Sequence, residues 1–280
     1  MPRQVLTKPL TKSTLPPILL LTLDTLKITK DAEHSVATVT LTQPHKRNAL
    51  NQQALQDIEH AYRWLSEKCF DVDIVILLGQ GKSFCTGHDL KSEKPNPILQ
   101  TSLSLRAKRV VQQQGGKTIR AIREADFVTI ACVHGHAIGG GFGLMIGCDL
   151  RVVEQNTVLF FPEIDMGNPV PWGLTPLLAK EVGMPLAKEL VLLGCEMTPQ
   201  RGFDVGLINR VCDGWENTVN EAELMAYTIA AKKKLGVTLA VTQFRSLETE
   251  HSSGNVLRYE ADWMLSAGTK SSLRAGPPSA

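Results

Sequence analysis

Val128-Thr129-Ile130-Ala131-Cys132-Val133 runs straight into His134-Gly135-His136-Ala137-Ile138-Gly139-Gly140-Gly141-Phe142-Gly143-Leu144, and this stretch decides the fold. An apolar run of strand length is the pattern of a strand buried on both faces, as in a parallel sheet covered by helices. The triple glycine then opens a short helical stretch through Leu144 and Ile146. A helix start exposes unpaired N–H groups and the positive end of the helix dipole, which suits a negative oxygen. It is not a phosphate-binding P-loop, because no Gly-Lys-Ser/Thr follows, and its spacing is not the dinucleotide fingerprint. Glycines also permit tight helix–strand packing, so this segment alone leaves the choice open.

Upstream, Leu26-Lys27-Ile28 and Val36-Ala37-Thr38-Val39-Thr40-Leu41 flank the turn-like Asp31-Ala32-Glu33-His34 and read as a hairpin that Pro44 stops. Apolar residues at Leu55, Ile58, Ala61, Tyr62 and Leu65 predict a helix capped by Asn48 or Asn51. Ile74-Val75-Ile76-Leu77-Leu78, ended by Gly79, is a second buried strand. Downstream, Leu150-Arg151-Val152-Val153 and Thr157-Val158-Leu159-Phe160 around Gln155-Asn156 read as a second hairpin. The recurring order strand, strand, helix predicts an α/β fold of stacked ββα units, although no repeat is visible in the sequence itself.

After Gly173 the pattern is helical, with Thr198-Pro199 starting one helix. Leu224, Tyr227, Ala231 and Leu235 are expected on one helix face, and Leu257, Ala261 and Leu265 on another. The expected organisation is an N-terminal extension over 1–23, a core over 24–215 and a C-terminal helical region over 216–280. Apolar stripes without a core of their own pack on the main domain or on another subunit.

Composition excludes little. The apolar fraction of 43%, charged fraction of 21% and net charge of +2 over 280 residues fit a soluble protein. They give no reason to expect a nucleic-acid partner. Six dispersed cysteines without a CxxC pair read as free thiols in a reducing compartment, with no disulfide framework and no metal site. Ile18-Leu19-Leu20-Leu21 is too short for a membrane span, which takes ~20 residues. The basic start, with Arg3, Lys8 and Lys12, loosely fits a mitochondrial transit peptide, and the terminal Gly276-Pro277-Pro278-Ser279-Ala280 is not a peroxisomal tripeptide. Cytoplasm or mitochondrial matrix is the expected setting.

Two further segments carry chemistry. In Gly79-Gln80-Gly81-Lys82-Ser83-Phe84-Cys85-Thr86-Gly87-His88-Asp89-Leu90 a buried strand ends in small residues. They let a ligand approach the main chain, with the His88 N–H able to donate. In Phe161-Pro162-Glu163-Ile164-Asp165-Met166-Gly167-Asn168-Pro169-Val170-Pro171-Trp172-Gly173 a carboxylate follows an apolar strand among Phe, Pro, Met and Trp. Desolvation there raises a carboxyl pKa towards a useful range.

Together these segments resemble the crotonase superfamily of enoyl-CoA hydratases and isomerases, from about residue 26 to 211. The resemblance also covers Thr40-Leu41-Thr42-Gln43-Pro44-His45-Lys46-Arg47-Asn48-Ala49-Leu50, Asp149-Leu150 and Gly206-Leu207-Ile208-Asn209-Arg210-Val211. It implies that the backbone N–H groups of His88 and Gly140 form an oxyanion hole for a thioester carbonyl, with the His88 imidazole a spectator. It implies that Glu163 moves the proton. Lys46, Arg47, Lys82 and Lys91, with Thr86, Gly87, Asp89 and Leu90, match positions around the coenzyme A portion of the substrate; no separate cofactor is implied. The family's C-terminal lysine falls at Gln243, with Arg245 nearby. Trimers, or hexamers of two trimers, are the family's assemblies, built partly by the C-terminal helices.

Family hydratases carry two glutamates, and here the first position is Gly143. A single carboxylate beside an oxyanion hole suffices to move a proton along a chain, which resembles the delta3-delta2-enoyl-CoA isomerases. The segment after Glu163 resembles their plant-type version. On this reading Gly143→Glu is expected to add hydratase activity. A hydratase is the alternative. So is a catalytically inactive crotonase-fold binding protein, motivated by the missing glutamate and by Lys232-Lys233-Lys234.

Overall fold

A computed structural model describes residues 13–90 and 105–249. Expectations for residues 1–12, for Lys91, and for the face of Leu257, Ala261 and Leu265 lie outside the described residues. The strands are β1 (Ile18–Thr22), β2 (Leu26–Lys30), β3 (Val36–Leu41), β4 (Ile74–Gly79), β5 (Val128–Val133), β6 (His136–Ile138), β7 (Leu150–Glu154), β8 (Val158–Phe160) and β9 (Arg210–Cys212). Among the described residues the main sheet has the order β1-β2-β3-β4-β5-β7-β9, antiparallel from β1 to β3 and parallel onward. A small second sheet pairs β6 with β8 in parallel.

The helices are α1 (Gln52–Lys68), α2 (Leu105–Gln112), α3 (Gln114–Arg123), α4 (Gly140–Gly147), α5 (Leu174–Val182), α6 (Met184–Leu193), α7 (Pro199–Asp204), α8 (Trp215–Ala230) and α9 (Lys234–Thr249). The α/β class and the ββα order both hold: β5-β6-α4 and β7-β8-α5 are successive units. The expected second hairpin does not form. Gln155-Asn156 does turn the chain, with the Thr157 N–H bonded to the Glu154 carbonyl at 3.0 Å. The two strands then take different partners: β7 lies between β5 and β9, and β8 joins β6. Each unit therefore splits its strands between two sheets.

Alternation along the parallel strands feeds two cores. Val75 and Leu77 of β4 face the larger core, with α1, α3 and α4. Ile74 and Ile76 face the smaller, covered by Ala222, Ala226 and Tyr227 of α8. Fully burying one such aliphatic side chain contributes ~1.5–3 kcal/mol, so a one-residue slip would be costly on both faces. Asn51, not Asn48, caps α1, its Oδ1 accepting from the Ala54 N–H at 2.8 Å. Thr198 caps α7 with Pro199 at the first position, as expected.

Two sequence expectations are corrected here and one is narrowed. The Ile18–Leu21 run, assigned to an extension, forms β1 because unpaired backbone on β2 accepts an antiparallel neighbour. α8 takes the first of its two expected packings, covering the sheet's second face, its buried Thr218, Ala222 and Ala226 spaced one turn apart. Leu224, Tyr227, Ala231 and Leu235 do not share a face, because the helix ends at Ala230 and restarts at Lys234; Leu224 and Leu235 are exposed.

Candidate active site

Two loops from neighbouring strands run side by side. Beyond β4, the Cys85 N–H donates to the His136 carbonyl at 3.0 Å and the Cys85 carbonyl accepts from the Ile138 N–H at 3.1 Å. This extends the β6–β8 sheet by one bridge between Cys85 and Ala137. Phe84 N–H to the His134 carbonyl, at 2.9 Å, begins the same seam. The seam ends where Gly87 meets Gly140: a Cβ on Gly87 would lie 3.4 Å from the Gly140 nitrogen and 2.5 Å from the Ile138 oxygen. With φ at +81°, Gly87 is a position that only glycine fills without strain.

Beyond it, the Gly87 carbonyl accepts from the Leu50 N–H at 2.7 Å and the Asp89 N–H donates to the Leu50 carbonyl at 3.0 Å. In an extended segment successive groups alternate sides, so the His88 N–H points away from Leu50. Gly140 opens α4 at a position whose N–H has no partner within the helix. The His88 and Gly140 segments expected to act together are thus adjacent, and His88 is exposed.

The 79–90 loop is clamped from behind. Asn48, held at a φ of +54°, donates its Nδ2 to the carbonyls of Gln80 (3.0 Å) and Ser83 (2.9 Å). His134 Nε2 lies 2.8 Å from the Gly81 carbonyl, which can only accept, so that nitrogen carries the proton. Ser83 Oγ and His136 Nδ1 lie 3.0 Å apart.

Glu163 is brought to the same place by β8. The Gly139 N–H donates to the Phe160 carbonyl at 2.9 Å, and the Phe142 and Phe161 rings stack at 4.7 Å. These ties register Glu163 over the start of α4: a Cβ on Gly139 would meet Glu163 Oε1 at 2.7 Å. The Glu163 carbonyl closes the following turn, accepting from Met166 (3.1 Å) and Asn168 (2.9 Å). The residue is only 8% exposed, and Oε2 has no hydrogen-bond partner among the described residues. Burial pushes its pKa from 4.5 up to about 7, opposed by its own backbone N–H. A carboxyl so placed can take or give a proton near neutral pH.

The cation positions are mixed. Lys46 pairs with buried Asp89 at 3.1 Å, and the exposed Arg47 accepts at its carbonyl from Thr86 N–H at 3.2 Å. Lys46, Arg47, Thr86, Gly87 and Asp89 therefore cluster around His88. Lys82 and Leu90 are exposed. Arg245 faces elsewhere, locked to Asp149 through two bonds of 2.6 and 3.0 Å.

Three residues shape this site beyond those assigned chemistry from the sequence, where Trp172 was expected to shape the acyl pocket and Leu50 closed the first matched segment. Leu50 and Trp172 stand beside Gly140, and Leu174 fills the space beside Gly143. A Cβ on Gly143 would meet Leu174 Cδ1 at 2.5 Å, and Leu174 is fully buried. A glutamate at 143, expected to supply a second carboxylate, would have to displace the Leu174 side chain. A fourth, Arg151, was legible as a charge inside an apolar strand. It is buried, pairs with Glu181 at 2.9 Å and donates to the carbonyls of Ile146, Cys148 and Leu207, closing the far end of α4. Among the described residues no helix is long and apolar enough to cross a membrane.

A family model described as Enoyl-CoA hydratase/isomerase matches residues 31–278. The mitochondrial Delta(3,5)-Delta(2,4)-dienoyl-CoA isomerase of Mus musculus is 29% identical, covering 87% of this chain and 75% of that protein. The Short-chain-enoyl-CoA hydratase of Clostridium acetobutylicum is 30% identical, covering 75% of this chain and 77% of that protein. Among solved structures, an enoyl-CoA hydratase/isomerase from Xanthobacter autotrophicus Py2 matches with a TM-score of 0.75 at 27% identity, covering 86% of this chain and 87% of that one.

Proposed function

The chain belongs to the enoyl-CoA hydratase/isomerase family, and from that premise we propose that it shifts the double bond of an enoyl-CoA. The observation that carries this reading is the setting of Glu163: a buried carboxyl with a pKa pushed up to about 7, one oxygen unpartnered among the described residues, beside the start of α4. The thioester carbonyl would accept from the N–H groups of His88 and Gly140. Removing one such donor typically costs ~2.7–4 kcal/mol of transition-state stabilisation. Ionised Glu163 takes a proton from the α-carbon of a β,γ-enoyl thioester, the electron pair delocalises onto the carbonyl oxygen as a dienolate, and the same carboxyl returns the proton at the γ-carbon. The α and γ positions lie on one short arc of the chain, so one pivoting carboxyl serves both.

Hydration needs a second group to hold and activate water, and Leu174 occupies the space beside Gly143. Relatives named as hydratases are as similar as those named as isomerases, so this distinction rests on the site and not on likeness. Ultraviolet absorbance of a conjugated thioester formed from a β,γ-enoyl-CoA tests it. Hydratase turnover far above isomerase turnover in the unmutated protein would overturn it. A homotrimer is part of the proposal, supported by exposed Leu192, Leu193, Leu235 and Leu239; light scattering from a monodisperse monomer would remove it.

A further inference from the structure

Trp172 combines three features that core packing does not require. Its backbone lies at a φ of +67°, a left-handed conformation that bulky L residues rarely adopt. Its ring lies against glycine on two different helices. A Cβ on Gly115 of α3 would overlap the indole around Cδ2, Cε2 and Nε1, and one on Gly140 of α4 would meet Cη2 at 2.6 Å. And the residue is only partly buried, at the edge of the larger core. The indole is therefore a plate wedged between α3 and α4, in a gap that only two bare backbones leave open.

That gap adjoins the reacting atoms. Gly140 carries one of the N–H groups assigned to the carbonyl, and Glu163 lies over its neighbour Gly139. The other neighbour of a Gly140 Cβ would be Leu50 Cδ1, at 3.2 Å. Leu50 and the indole are thus the apolar groups nearest Gly140 on this side.

We propose that Trp172 is the chain-length determinant of this site, an end wall that admits short acyl thioesters and turns away long ones. This rests on the assignment of Gly140 and Glu163 to the acyl-CoA site. Replacing the indole by a small side chain opens the α3–α4 gap beside Gly140, where the proposal seats the thioester. A cavity of roughly 150 Å³ lined by apolar groups stays dry and accepts an apolar guest, so the opened space would take additional methylenes.

The test uses the full-length protein and saturated butanoyl-, hexanoyl-, octanoyl- and decanoyl-CoA, whose binding requires no reaction. The unmutated protein is expected to lose affinity by about tenfold or more between the hexanoyl and decanoyl thioesters, the discrimination a pocket wall provides. Trp172→Ala should abolish that loss, raising the ratio of decanoyl- to butanoyl-CoA affinity by about tenfold or more relative to the unmutated protein. Trp172→Leu, which keeps an apolar contact between the helices, should give an intermediate profile and guards against a variant that fails to fold. Affinity that climbs steadily through decanoyl-CoA in the unmutated protein overturns the proposal. So does a folded Trp172→Ala or Trp172→Leu protein with an unchanged profile. If short thioesters bind but no double bond moves, the catalytic reading falls and the chain-length reading stands. If no thioester binds at all, both fall.

Discussion

Two carboxylates bracket α4, and they live in opposite electrostatic worlds. Asp149, just past its C-terminal end, accepts from the backbone and hydroxyl of Thr129, each at 2.8 Å, and from both terminal nitrogens of Arg245. Glu163, over its N-terminal end, has an oxygen with no partner and a pKa pushed up to about 7 by burial. Both follow apolar strands or helices closely in sequence. The difference lies in what surrounds them: one has its ionised form fully satisfied, the other is penalised for ionising. Satisfaction makes a carboxylate structural, and its absence makes one available for proton transfer.

The comparison breaks most visibly at Glu163. Glu163→Gln should lower isomerase kcat by ~10²–10⁴-fold while acyl-CoA affinity stays within a few-fold, measured by the absorbance of the conjugated product and by titration with a saturated thioester. A variant retaining more than a tenth of turnover would remove Glu163 from its role.

A pH series sharpens the same contrast. The raised carboxyl holds its proton more tightly in the folded state, so its ionisation penalty is absent below pH 4.5 and complete above about 7. Stability therefore declines across that window, by up to about 3 kcal/mol. Glu163→Gln, neutral throughout, should be more stable than the unmutated protein at pH 8 and match it near pH 4.5, as read by urea unfolding. In the same window kcat/KM should rise with pH as the base form appears. Equal stability at both pH values would show that burial does not strain this group.

Asp149→Asn should do the reverse. Losing the ionised acceptor costs about 1–3 kcal/mol of stability, while turnover per folded molecule and its pH profile stay put. A changed pH profile would mean that the two ends of α4 communicate.

The smallest expected effect concerns Gly143. Gly143→Glu alone should destabilise the protein by about 1–3 kcal/mol through overpacking against Leu174, without adding hydratase activity. Only with Leu174→Ala beside it should water addition to an α,β-enoyl-CoA become measurable. Strong hydration by the single variant would show that Leu174 yields.

What was legible in the sequence follows a physical line. β4, β5 and the opening of α4 were readable because a strand buried on both faces, or a helix that must begin at bare glycine, leaves a local mark in the residues. Glu163 was readable for the same reason, a charge stranded among Phe, Pro and Trp. Partner choice leaves no such mark. β7 and β8 look like a hairpin because apolar runs around Gln155-Asn156 report burial, not which neighbour supplies the hydrogen bonds. Leu174 against Gly143, and Trp172 against both Gly115 and Gly140, are contacts between distant stretches whose spacing encodes nothing. The Lys46–Asp89 and Arg245–Asp149 pairs were equally hidden: a cation reads the same whether it awaits a phosphate or already has its carboxylate.

The seam between the two loops has a consequence in time as well as in space. Leu50 bridges His88 and Cys85 bridges Ala137, so this edge is stitched from segments dozens of residues apart. Such long-range closures cost chain entropy before they return contact energy, and folds built on them assemble slowly. A ligand that binds only the closed seam would stabilise the finished fold by RT ln(1 + [L]/Kd), so the ligand dependence of stability would read out whether these closures are complete.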